Sequence, residues 1–107
     1  MRLATKEVLG GWARVIWTDL NAQEPVGEPQ QMTELANKTI IIEGGQARLM
    51  GTNREGGEPM ELTDDQGMPL KGPGIARVLL NPWRIWPELI AGDHVTVSIL
   101  ATKTGVF

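Results

Sequence analysis

The sequence predicts a mainly β fold, a small antiparallel barrel or sandwich of about six to eight short strands with one or two short helical turns. Thirteen Gly and seven Pro among 107 residues interrupt long helices and favour short strands joined by turns. Val95, Val97 and Ile99 alternate with His94, Thr96 and Ser98, the period of two that sends successive side chains to opposite faces of a sheet. Two glycine pairs, Gly10-Gly11 and Gly44-Gly45, each separate strand-like runs by the length of a tight hairpin turn. The length suits one domain spanning residues 1–107.

Residues 4–9 and 12–19 are expected to pair as a hairpin that sets Glu7 against Arg14 and Leu9 against Trp12; the competing reading makes residues 2–9 a helical turn. Residues 21–31 are polar and contain Pro25, Gly27 and Pro29, so they read as a surface loop with room for function. A short helix is expected over residues 29–37, with Pro29 in its first turn and Met32, Leu35 and Ala36 on one side. Residues 39–50 read as the clearest hairpin, TIIIE and QARLM around Gly44-Gly45, with Ile42 opposite Ala47 and Ile40 opposite Leu49. Residues 51–59 carry three glycines and no apolar side chain apart from a proline, and read as a loop mobile unless a partner holds it.

A third hairpin is expected from residues 60–63 and 68–71 around Asp64-Asp65-Gln66-Gly67, with Pro69 facing outward from an edge. Residues 75–80, IARVLL, fit a buried strand between glycine-proline turns better than a short helix. Residues 81–87 read as a proline-bracketed helical turn, capped by Asn81 and ended by Pro87. The last strand covers residues 94–101, and residues 103–107 form a tail able to add to an edge.

Composition removes several function classes. Without Cys there is no disulfide framework, thiolate zinc site or cysteine nucleophile. The first residues lack the apolar run of a signal peptide, and no stretch approaches the roughly 20 apolar residues of a membrane span. A soluble, cytoplasmic chain is expected, or one assembled into a particle from there. A net charge of −3 argues against general nucleic-acid binding, which draws on Lys and Arg to release counterions.

No constellation calls for catalysis, a cofactor or a metal. His94 is the single histidine and falls on the polar face of the last strand, which suits a hydrogen-bonding role better than a triad or metal site. Asp64 and Asp65 lack the alternating ligands of a calcium loop and read as turn residues. The glycines of residues 51–57 and 71–74 lack the lysine and hydroxyl of a phosphate loop. Glu55, Glu58 and Glu61 would need a cleft that so short a domain leaves little wall to build. One pattern recurs: Gly-x-Ala-Arg-aliphatic at Gly11–Val15, Gly45–Leu49 and Gly74–Val78. Convergent strand starts account for it, since alanine and the aliphatic residue share a face that arginine does not; the sharper reading is an eroded repeat.

The aromatic surface is concentrated instead. Four Trp, one Phe and no Tyr place nearly all of it in two stretches. Trp12 and Trp17 are five apart and point to opposite faces of a regular strand, so one of them is a contact candidate. Trp17, Trp83 and Trp86 are taken as interface candidates, with Ile41, Met50 and Arg48 from the second face of the 39–50 hairpin. The overall character resembles that of small subunits of tailed-bacteriophage particles, such as connector, tail or capsid-decorating proteins, which are often cysteine-free β domains with long glycine-rich loops. That resemblance is one of type, rests on no specific motif and transfers no residues. It implies a non-enzymatic structural subunit in a homo-oligomer or larger protein assembly, cytoplasmic or in the virion, whose two long loops order against neighbours. The alternative is a monomeric binding module for a carbohydrate or other small ligand, stacking on Trp83 or Trp86.

Overall fold

Period-two alternation runs through the longer strands of the computed structural model, which describes residues 1–31, 37–80 and 82–102. Among these residues there are eight strands and no helix: β1 (Thr5–Leu9), β2 (Trp12–Leu20), β3 (Asn37–Glu43), β4 (Gln46–Thr52), β5 (Met60–Glu61), β6 (Gly74–Val78), β7 (Arg84–Ala91) and β8 (Val95–Thr102). They form two antiparallel sheets, one of five strands in the order β1-β2-β8-β3-β6 and one of three in the order β5-β4-β7. The expected helix over residues 29–37 falls mainly on residues 32–36, outside the described residues, as do Asn81 and the 103–107 tail.

β8 holds the centre of the larger sheet. Its Val95, Val97, Ile99 and Ala101 are buried, and they face a core filled by Ala13, Val15 and Trp17 of β2, Ile40 and Ile42 of β3, and Ala47 and Leu49 of β4. The β1–β2 hairpin has the predicted register, Glu7 with Arg14 and Leu9 with Trp12. The third hairpin also forms, closed by a Thr63–Pro69 bridge and by Asp64 Oδ1 accepting from the backbone N–H of Gln66 and Met68. Pro69 lies outward on it, as expected. β6 is a strand, yet it lies at the sheet edge rather than in the interior.

Two expectations are corrected. β3 and β4 do not pair: β3 runs between β8 and β6, and β4 between β7 and β5. The chain crosses from one sheet to the other at Gly44-Gly45, so Ile40 and Ile42 meet Ala47 and Leu49 across the core instead of beside them. The glycines serve close approach as well as turning. Gly44 has φ of 86°, and a Cβ there would run into the carbonyl of His94. The β7–β8 connection makes the matching crossing, and the two corners pack on each other.

The second correction concerns residues 82–87, which continue into β7 rather than forming a helical turn. Arg84, Trp86 and Glu88 point outward, while Ile85 and Pro87 point to the core. Proline is tolerated because its missing N–H does not face β4. Ile85, Pro87 and Leu89 direct their backbone groups toward residues 25–30: Gly27 N donates to Pro87 O (2.9 Å), Ile85 N to Gln30 O (2.9 Å) and Leu89 N to Pro25 O (2.7 Å). Residues 25–30 therefore run along the free edge of β7 and also meet β1's approach, where Arg2 N donates to Val26 O and Glu28 N to Arg2 O. The expected surface loop is a structural strap that closes one side of the sandwich.

Candidate functional site

Arg48, Met50 and Trp86 come together on the outer face of the smaller sheet. β4–β7 pairing places Met50 opposite Trp86, Arg48 opposite Glu88 and Thr52 opposite Arg84. All three candidates are half-buried, and the Trp86 indole N–H reaches Glu88 Oε2 at 3.2 Å. Trp83 stands at the entrance to β7, with the Arg84 guanidinium 4.2 Å from the centre of its ring. One face of that indole is thus taken by a cation, an arrangement worth about 0.5–1 kcal/mol where exposed.

Ile41 belongs to the opposite surface. Register across the larger sheet aligns Thr5, Ile16, Ser98, Ile41 and Ile75 in one outward row, and Glu7, Arg14, Leu100, Thr39 and Arg77 in the next. Ile75 is 73% exposed and Leu100 44%. This apolar patch was missed in the sequence because Ile41 and Ile75 are brought side by side only by non-local pairing, with Ile16 beyond Ser98 in the same row. The Gly-x-Ala-Arg echo resolves likewise: Arg14 and Arg77 end up in one row, Arg48 on the other sheet, and Val15, Leu49 and Val78 are all buried on the side that the alanines share.

Trp17 is not a surface residue. It is fully buried, its indole N–H donates to Glu28 O at 2.9 Å, and its ring lies against Gly27. The even spacing from Val15 already put it on the core face, and a buried tryptophan needs the hydrogen-bond partner that the strap supplies. Trp12, on the other face of β2, is half-buried in the outer layer beside Thr102.

Two polar groupings are worth placing. Asp19, at φ of 65° in the bulge that ends β2, shares a 2.5 Å hydrogen bond with His94 Nδ1, and Arg2 lies 3.8 Å from it and 3.7 Å from Glu24. The His94 hydrogen bond, aided by the Arg2 charge, holds the Asp19 carboxyl below the usual carboxylate range. These side chains are partly exposed to solvent, so the ion pairs contribute little, and they pin the N-terminal segment to the β7–β8 corner. Lys38 lies on the core face of β3, buried, with Nζ donating to Leu80 O at 3.0 Å; burial lowers its amine to about 8. Among the described residues no group of three or more His, Cys, Asp and Glu side chains is placed to hold a metal ion, and no helix is long and apolar enough to cross a membrane.

No protein-family model matches the chain, and no curated protein matches it. Solved structures do share its fold. The SPBc2 prophage-derived protein YomS superposes with a TM-score of 0.62 at 16% identity, covering 91% of this chain and 99% of that one. A cupin protein from Bacteroides fragilis gives 0.53 at 13% identity over 97% and 79% of the two chains. The cupin domain of Schizosaccharomyces pombe Cnp3 gives 0.52 at 10% identity, covering 94% of this chain and 63% of that one. The fold is therefore a cupin-like β-sandwich.

Proposed function

We propose that this chain is a non-enzymatic structural subunit that acts through protein contacts in a larger assembly, of the kind found in tailed-phage particles. The observation that carries the reading is the outward apolar pair of Ile41 and Ile75 on neighbouring strands, with Leu100 diagonal to Ile41, on a sheet whose other face already fills the core. Apolar surface arranged side by side in this way is costly to leave in water and marks a contact region. The half-buried Met50–Trp86 pair on the opposite sheet offers a second contact face. The prophage origin of a protein that shares the fold over nearly the full length of both chains agrees with a phage setting, in the cytoplasm during assembly and in the virion afterwards.

Substitution on the two faces tests this. Trp86→Ala and Ile41→Thr are expected to lower the sedimentation mass of the associated protein while leaving a cooperative thermal transition. Unchanged association in both variants would remove these faces from the assembly.

A further inference from the structure

The smaller sheet has both edges guarded, and the larger sheet has both bare. β7 is lined by the 25–30 strap, and β5 is two residues long and runs on into the Thr63–Pro69 hairpin. Covering segments and short strands of this kind keep an edge from pairing with other chains. β1 and β6 have neither. Each is five residues long, and among the described residues no backbone hydrogen bond outside the strand ladders reaches Thr5–Leu9 or Gly74–Val78. Four antiparallel pairings lie between them, so β1 and β6 run in the same direction. The two-residue loop after β1 makes Leu9 and Trp12 a hydrogen-bonded pair. Alternation from that pair, through registers unbroken as far as β6, turns the backbone groups of Lys6 and Val8 outward at one edge and those of Ile75 and Arg77 outward at the other.

Building on the assembly reading, we infer that copies of this chain join head to tail, the β6 edge of one pairing in parallel with the β1 edge of the next, and that Arg77 there meets Glu7. With the same face outward in both copies, two edges that run in one direction meet only in parallel. In a parallel ladder, a residue whose backbone groups point at the neighbouring strand bonds the residues before and after the one it faces. Arg77 opposite Glu7 of the next copy therefore reaches Lys6 and Val8, the residues whose groups are turned to that edge. The same register sets Ile75 opposite Thr5 and continues both outward rows without a step. Ile75 is 73% exposed for want of a strand beyond it, and the Thr5 methyl would cover that flank. Charge selects this combination of edges. Arg14 bonds Glu7 Oε1 at 2.6 Å, and a carboxylate has capacity for a second guanidinium. Pairing β6 with β6, or β1 with β1, instead brings Arg77 toward Arg77 or Glu7 toward Glu7, which is unfavourable. Because the two edges in contact differ, the contact repeats from copy to copy and builds a ring or a filament. Five-residue edges supply only part of the roughly 1,200 Å² that stable complexes bury, so the association is concentration-dependent unless other faces add to it.

The absence of cysteine makes a clean test, since any cross-link reports the residues introduced. Thr5→Cys and Ile75→Cys put one thiol on each edge, and the paired strands would hold the two Cα atoms about 4.8 Å apart, within the range that a disulfide accepts. Mild oxidation is expected to link the two variants when they are mixed and to leave each unlinked alone. Arg77→Glu is expected to raise the concentration needed for association about tenfold or more, with its melting temperature unchanged. Either cysteine variant linking to itself as fast as in the mixture overturns the head-to-tail arrangement. Faster linking of Ile75→Cys with Glu7→Cys than with Thr5→Cys overturns the register. If the native chain self-associates while the mixture fails to link and Arg77→Glu associates normally, the edges are not the interface and the assembly reading stands on other faces. A native chain that stays monomeric throughout, with no cross-link in the mixture, overturns both.

Discussion

The indole N–H of Trp17 and the carbonyl of Glu28 meet at 2.9 Å, tying β2 of the larger sheet to the strap that closes the sandwich. Trp17→Phe keeps most of the apolar ring but leaves that carbonyl without its donor and opens a small void. It should cost about 1–3 kcal/mol in denaturant melts. Exchange at the Gly27 and Gln30 amides should quicken more than at β8, because those amides hold the strap on β7.

Gly27 is where three segments converge. A Cβ there would lie 2.5 Å from Pro87 Cδ and 2.6 Å from Trp17 Cδ1, both in buried side chains. Gly27→Ala should therefore destabilise by about 1–3 kcal/mol, an overpacking effect. Thermal melts check it; Gly27 does not sit at a positive φ, so the loss reports packing and not backbone strain.

At the corner, Gly44→Asn separates the observed crossing from a plain hairpin. Asparagine suits the primed turns of two-residue hairpins. Here its Cβ would meet the His94 carbonyl, a backbone atom that moves only with the β7–β8 corner. A loss of about 2 kcal/mol or more in urea unfolding is expected.

Lys38 gives the fold a pH signature. The unfolded side chain holds its proton up to its ordinary value of 10.5, whereas burial makes the folded one release it near 8. Between those values the unfolded state binds more protons, so stability rises with pH, by at most about 1.4 kcal/mol per pH unit. Urea titrations across that window should show the rise in the native chain and lose it in Lys38→Met.

The parts of this fold that local pattern encodes were legible. The alternation of Val95, Val97 and Ile99, the Glu7–Arg14 register and the Asp64–Gly67 turn each rest on residues close in sequence. The core corner was not, because apolar Ile40 and Ile42 before Gly44-Gly45 and Ala47 and Leu49 after it fit a hairpin and a crossing equally well. What decides is the approach of residues 91–95, far along the chain. Pro82 and Pro87 suggested a helical turn, and the alternation of RIWPELI is hidden because Trp86 and Ile90 are apolar at outward positions; the proline fits because its lost donor faces Gly27. Of the interface candidates, Arg48, Met50 and Trp86 are gathered by β4–β7 pairing and Ile41 faces outward. Trp17 belongs to the core, for its partner Glu28 lies on a segment that reads as a loop.

The central claim, that the chain works by association, is tested most directly by its mass in solution from low micromolar to millimolar concentration. A weight-average mass that climbs above the 11.7 kDa of one chain is expected as concentration rises. A strict monomer across that range, with tryptophan fluorescence that changes saturably on adding a glycan, would contradict it.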